Sequence, residues 1–177
     1  MIELRTQRLT LRQLIETDRD FFFQLNRLPA VMRHIDPARS DAVIERKFQQ
    51  RMPSWTPEVE HWLALAVIER TSGRPIGLHG FKLASPPLGP AELGYMFLPD
   101  SQGQGFAQEA TGAVLDFAFD ICGLHKATAT VTAGNHASEK LLQRMGFRLE
   151  GRLRAEYRMD GAWHDDLKYG LLATDRC

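Results

Sequence analysis

The sequence predicts a mixed α/β domain built on a mostly antiparallel sheet. Short β-rich runs recur along the whole chain, two of them joined by the tight turn Thr71-Ser72-Gly73-Arg74. Amphipathic helical stretches fall between them, the clearest over residues 108–122. The remaining strand connections are a proline-rich link at residues 85–90 and a turn near Asp160-Gly161, both suited to antiparallel neighbours. At 177 residues the chain is read as one domain, 1–177, large enough to bury a core.

The elements follow in order. Leu9-Thr10-Leu11-Arg12-Gln13-Leu14 alternates apolar and polar residues like a half-buried strand. Thr17 offers an N-cap, and Asp20 completes a weak capping box. Phe21, Leu25 and Leu28 follow at helical spacing until Pro29 interrupts. The run Phe21-Phe22-Phe23 is wider than one stripe and is read mostly as core, with part lining a cleft. Ser40-Asp41 starts a second helix carrying Val43, Ile44, Phe48 and Met52, and residues 53–57 form a loop. Residues 62–69 and 75–83 make a hairpin, and the fourth strand covers 93–98, ending near Pro99.

In the third helix Ala110, Ala113, Val114, Phe117, Ala118 and Ile121 share one face. Residues 126–132 are a β-rich fifth strand. Asn135 caps the fourth helix, whose Ser138, Leu141, Leu142 and Met145 share a face, and Gly146 fits its left-handed C′ position. Residues 147–154 and 163–172 are the last two strands.

Lys plus Arg equals Asp plus Glu, 22 each, which argues against a strong field for nucleic acid or an anionic membrane. No apolar signal core opens the chain and no run approaches membrane-spanning length, so a soluble cytoplasmic protein is expected. Cys122 and Cys177 are expected as free thiols. No Cys or His spacing suggests zinc, and His34, His61, His125 and His164 form no ligand pattern, so no metal is expected.

The segment Gln102-Gly103-Gln104-Gly105-Phe106-Ala107 carries the chemistry, because it leads from a strand straight into a helix. The first N–H groups of a helix have no internal partner and carry partial positive charge. Gly103 and Gly105 lack Cβ atoms, so a phosphate can approach the backbone. The Walker pattern is missing its Lys-Ser/Thr pair. The dinucleotide fingerprint is missing a third glycine, where Gln108 stands, and the acidic residue beyond it.

Gln102, Gly105 and Ala107 match the Q/R-x-x-G-x-G/A loop of the GCN5-related N-acetyltransferases, which this segment resembles. The resemblance spans nearly the whole chain, in family order, and is nearest the Rim-type branch of ribosomal-protein N-terminal acetyltransferases. Residues 3–12 look like that branch's N-terminal strand, and Gly94-Tyr95-Met96-Phe97 with Pro99 like its fourth. Asn135-His136-Ala137-Ser138 with Gly146-Phe147 resembles its Asn-x-x-Ser helix start and Gly-Phe exit. Gly151-Arg152-Leu153-Arg154, Asp166 and Tyr169 resemble its C-terminal hairpin.

The resemblance implies that fold, with about seven strands splayed between the fourth and fifth and about four helices. It implies acetyl-CoA as cosubstrate, its pantetheine arm lying in the splay like an added strand. Phe97 and Leu98 would supply edge groups, Gln102, Gly103, Gln104, Gly105, Phe106 and Ala107 would hold the pyrophosphate, and Asn135 and Ser138 would contact the arm. The backbone near Phe97 would serve as oxyanion donor, and Ser138 would supply the leaving-group proton. Glu156 would be the base, a carboxylate partly withdrawn from water, with Asp160, Glu92 and His79 as runners-up. Trp55, Trp62 and Trp163 are candidates to close the acceptor pocket, though each alone fits packing better.

No cysteine lies in these motifs, so the expected reaction is direct attack by a primary amine in a ternary complex. An α-amino group suits a modest base, since its pKa is about 7.7–8.0 against about 10.4 for lysine. The expected acceptor is therefore a protein or peptide N-terminus. The rivals are an antibiotic or polyamine N-acetyltransferase and a non-catalytic acyl-CoA sensor. Monomer and homodimer both stay open.

Overall fold

The computed structural model describes residues 2–35, 40–159 and 161–176. Its strands are β1 (Glu3–Arg5), β2 (Leu9–Gln13), β3 (Leu63–Glu69), β4 (Pro75–Leu83), β5 (Ala91–Phe97), β6 (Lys126–Thr132), β7 (Arg148–Met159) and β8 (Ala162–Leu172). Its helices are α1 (Arg19–Arg27), α2 (Pro29–Met32), α3 (Asp41–Gln49), α4 (Phe106–Asp116) and α5 (His136–Arg144). One 8-stranded sheet runs β1-β2-β3-β4-β5-β6-β8-β7. Every pair is antiparallel except β5 with β6, whose crossover is α4.

The expected single N-terminal strand is a hairpin of β1 and β2, paired from Glu3↔Arg12 to Arg5↔Thr10. The Glu109 carboxylate on α4 makes this turn, accepting from Thr6 Oγ1 at 2.6 Å, Arg8 N–H at 2.8 Å and Arg8 Nε at 2.6 Å. Burial opposes ionisation of Glu109, but these donors outweigh it and hold the carboxyl below its ordinary range.

Two layers cover the sheet. Helices α4 and α5 pack on one face, where Val114, Leu142, Phe81 and Val131 are buried. Helices α1–α3 pack on the other through Phe22, Leu25, Ile44 and Phe48. The phenylalanine run is core, since Phe21, Phe22 and Phe23 are all buried.

The expected Thr17 cap is displaced. Helix α1 starts at Arg19, because the Asp18 carboxylate is taken by Arg12 at 2.6 and 2.8 Å and by the Ile15 N–H at 2.9 Å. Helix α4 runs into a π turn, Phe117–Ile121. The wider turn brings Phe119 inside and leaves Ile121 74% exposed, so the expected stripe ends at Ala118. Trp55 is core as well, edge-on to Phe81 with centroids 5.1 Å apart.

The feature that positions a site is the separation of β5 from β6. They pair only at Ala91↔Ala127 and Glu92↔Thr128. This is the splay expected between the fourth and fifth strands, renumbered because the N-terminal segment supplies two. Among the described residues no helix is long and apolar enough to cross a membrane.

Candidate active site

The Gly-rich loop carries the charge of the site. Gly103 and Gly105 adopt left-handed φ of 74° and 80°, and Gly105 is the N-cap of α4. Among the described residues no backbone carbonyl outside the helix accepts from the N–H groups of Gly103, Gln104 or Gly105. Phe106, Ala107 and Gln108 form the first turn, whose N–H groups have no intrahelical acceptor. This makes a continuous row of donors at the positive end of a helix dipole, which fits a pyrophosphate. Beside it lies a cleft of about 400 Å³ lined by Arg8, Gly105, Gln108, Glu109, Gly112 and Met145. Arg8 braces the loop, donating to the Gln104 carbonyl at 2.9 Å and lying 4.5 Å over the Phe106 ring. The sequence carries no local signal for that role.

The edge of β5 continues from this loop into the splay. Leu98 N–H donates to Ile76 O at 2.9 Å, so Leu98 is in hydrogen-bonding phase with β4. The phase alternates along a strand, so Phe97 and Tyr95 turn their backbone groups toward β6. Beyond Glu92 the ladder to β6 has ended, and these groups face the gap. Gln102 Nε2 donates to Phe97 O at 3.1 Å and fixes the end of the edge. Leu98 is not part of the edge: its carbonyl accepts from Ser101, and its side chain is buried on the α1–α3 face.

Across the gap stands the start of α5. Asn135 Oδ1 accepts the Ser138 N–H at 3.3 Å, so its oxygen serves as the cap. That leaves the Ser138 hydroxyl pointing outward from the first turn, 2.6 Å from the Tyr95 hydroxyl. Burial pushes the Tyr95 phenol up to about 12, against the pull of that bond. Beneath it lies His79, opposite Tyr95 in the β4–β5 register, with ring centroids 5.2 Å apart. His79 is 2% exposed, and burial pushes its imidazole down to about 3. It is neutral, engages Thr111 at 2.9 Å through Nε2, and lies behind the gap, which removes it as a base.

The other wall is the β7–β8 hairpin on the α1–α3 side. A bulge interrupts the ladder between Leu153↔Asp166 and Tyr157↔His164. It is held by Ala155 at φ 49°, whose N–H donates to Asp165 Oδ1 at 2.8 Å. Bulges re-aim side chains beside sites, and this one carries Glu156. Glu156 itself is exposed. The carboxyl held above its ordinary range is that of Asp166, raised first by burial and then by Glu156 and Glu92, against the pull of Lys168. Tyr157 and Thr132 join their hydroxyls at 2.5 Å, and Thr132 also donates to His34 O.

Of the other candidates, Glu92 lies where β5 and β6 still pair, accepting from Thr130 at 3.0 Å while Lys168 donates to Thr130 at 2.8 Å. Asp160 and Cys177 lie outside the described residues. The Trp62 ring lies against Gly94 of β5, whereas Trp163 is 64% exposed on the hairpin. Cys122 is a free thiol, pushed up to about 11 by burial. A larger groove, about 830 Å³, separates α1 from α3, but its walls are paired through Arg19–Glu45 and Arg27–Asp41. Its lining includes neither the Gly-rich loop nor the β5 edge, so volume alone does not mark the chemistry. Among the described residues no group of three or more His, Cys, Asp or Glu side chains could hold a metal.

Sequence reasoning missed Tyr95 as a site residue. Its one signal was the Gly94-Tyr95 motif. A family model described as an acetyltransferase (GNAT) domain matches residues 8–148. An uncharacterized N-acetyltransferase of Bacillus subtilis, YoaA, is 27% identical over 169 residues, 96% of each chain. The spermidine N-acetyltransferase from Vibrio cholerae, solved in complex with CoA and spermine, superimposes with a TM-score of 0.82 at 26% identity, covering 96% of this chain and 98% of that one. The ribosomal-protein-S5-alanine acetyltransferase from Vibrio fischeri shares the fold, with a TM-score of 0.77 at 20% identity over 97% of both chains.

Proposed function

The chain belongs to the acetyltransferase (GNAT) family and is an acetyl-CoA-dependent N-acetyltransferase, and from that premise we propose how its residues act and which amine they serve. The observation that carries the reading is one continuous surface: free N–H groups at residues 103–108, the unpaired edge of β5, and the Ser138 hydroxyl facing that edge.

Acetyl-CoA supplies an acetyl thioester. The loop Gln102–Ala107 receives its pyrophosphate on backbone donors. The β5 edge at Tyr95 and Phe97 pairs with amides of the pantetheine arm. The Phe97 N–H is aimed at the carbonyl oxygen that gains charge, and its fixed direction costs no reorganisation. Ser138 turns its hydroxyl toward the departing sulfur. Glu156 takes the amine proton, through water because it is exposed, and Asp166 shares the same patch of negative charge. Attack is direct and needs no covalent enzyme intermediate. Calorimetry with CoA, followed by a thiol-release assay over a panel of amines, tests this.

We place the chain in the Rim-type branch, in the cytoplasm, with an N-terminal α-amine as preferred acceptor. Two points support that acceptor. The carboxylates Glu92 and Asp166 share the acceptor-side face of the sheet with Lys168, so their charge is partly compensated and a polycation gains little there. An α-amine is also far more neutral at pH 7 than a lysine side chain. A second reading, a polyamine acceptor, is favoured by the likeness to the spermidine enzyme. Mass spectrometry of a peptide bearing an α-amine and a lysine, in competition with spermidine, separates them.

A further inference from the structure

We propose that Tyr95 is a positioning residue for the leaving-group step, its hydroxyl donating to Ser138 Oγ so that the serine's own O–H is turned to the departing sulfur. The inference rests on the role assigned to Ser138 and extends it to a second hydroxyl.

The geometry is direct. The two oxygens are 2.6 Å apart, and the bond spans from β5 to α5 across the gap. A phenol is the stronger acid of the two, so Tyr95 donates and Ser138 accepts. Among the described residues Ser138 Oγ has no other hydrogen-bond partner. Its proton is thus the free end of a two-hydroxyl chain, and such chains polarise cooperatively in a low-dielectric site.

The phenol is fixed from below. Thr111 Oγ1 donates to Ala107 O at 2.7 Å, so it can only accept from His79 Nε2, at 2.9 Å. That puts the His79 proton on Nε2 and ties the ring to the first turn of α4. The same ring lies under Tyr95, tilted by 34°. The leaving-group hydroxyl is therefore connected to the loop that would hold the pyrophosphate by one chain of packed side chains.

The chain works by hydrogen bonding and not by giving up a proton. Burial holds the Tyr95 phenol near 12, whereas a thiol ionises near about 8.5, so transfer from Tyr95 to sulfur is uphill. In the balanced step the amine nitrogen forms the C–N bond and the C–S bond breaks. The amine proton leaves to Glu156 and water. The thiolate keeps the C–S electron pair, is held by the Ser138 O–H, and takes its proton from solvent on release.

The test compares Tyr95→Phe, Ser138→Ala and the double variant by thiol release, with acetyl-CoA affinity from calorimetry. Tyr95→Phe keeps the ring that packs on His79. We expect it to lower kcat up to about tenfold, the upper end of what one neutral hydrogen bond contributes. Its acetyl-CoA affinity should stay within about twofold of wild type, and the double variant should be no slower than Ser138→Ala alone, because the two act as one unit. Wild-type kcat in Tyr95→Phe, or losses that multiply in the double variant, overturns the inference while leaving Ser138 in its role. Wild-type kcat in Ser138→Ala overturns the role of Ser138 and this inference with it.

Discussion

Replacing Gly105 with alanine, with Gly103→Ala as its control, isolates what the loop does for binding. Both glycines have left-handed φ, 80° and 74°, so each substitution carries the same backbone strain, about 1–2 kcal/mol. Neither meets a packed backbone. A Cβ on Gly103 finds nothing within 4 Å, and one on Gly105 meets only the end of the Arg8 side chain at 3.3 Å. Both variants should therefore fold, with melting temperatures lowered by roughly 2–8 °C. They should differ in binding. Gly105 is the N-cap and lines the cleft beside the loop, whereas Gly103 contributes an N–H to the donor row but does not line that cleft. A methyl at Gly105 that displaces the phosphate breaks at least one charge-assisted hydrogen bond, worth about 1.5–3 kcal/mol. The Kd for CoA by calorimetry should rise roughly ten- to a hundredfold in Gly105→Ala and by clearly less in Gly103→Ala, whose added methyl lies outside the cleft. Equal losses at both positions, or none at Gly105, would refute the assignment of the donor row.

Glu156→Gln should lower turnover roughly 10²–10⁴-fold with acetyl-CoA affinity unchanged, and raising the pH through the α-amine pKa of about 7.7–8.0 should recover part of the loss; an unaltered pH–rate profile would move the base to Asp166, checked with Asp166→Asn. His79 gives a stability effect of known sign. Its pKa is depressed from 6.5 to about 3 in the fold, so the unfolded chain binds the extra proton and stability falls as pH drops below about 6.5, by about 2 kcal/mol between pH 8 and pH 5. Urea titrations should show that part of the acid loss missing in His79→Gln, and an identical loss would exclude His79 as its source. Asp18→Ala leaves Arg12 and the Ile15 N–H without their partner and should cost about 3 kcal/mol by denaturant midpoint, the low end for a buried pair because Arg12 is partly exposed; a cost under about 1 kcal/mol would mean the pair is solvated in practice.

Local pattern exposed the sheet order of hairpins, the α4 loop and the α5 start, because each is written in contiguous residues. What it missed was set by side-chain partners and by helix geometry that no residue pattern writes. Residues 3–12 alternate without a Gly or Pro, and the turn within them is made by Glu109. The cap at Thr17 fails because Asp18 is drawn to Arg12. Ile121 leaves its stripe because a π turn rotates the end of α4. For the proposed site, the positions of the loop and of Ser138 are readable from their motifs. The Tyr95 partner is not, since one hydroxyl contact joins β5 to α5 across 43 residues of sequence. Glu156 was legible as a residue but not in its setting: the bulge that aims it rests on a left-handed alanine, a residue that carries no turn signal.

The most direct measurement is thiol release coupled to mass spectrometry, using acetyl-CoA with a peptide that carries both an α-amine and a lysine, and with spermidine in competition. One CoA should be released per acetyl group gained, with no release above background when amines are omitted, and acetyl should be found on the α-amine. CoA binding without an acetylated product from any amine would contradict catalysis at this gap and leave a sensor. Acetyl found mainly on spermidine would keep the chemistry and overturn the acceptor.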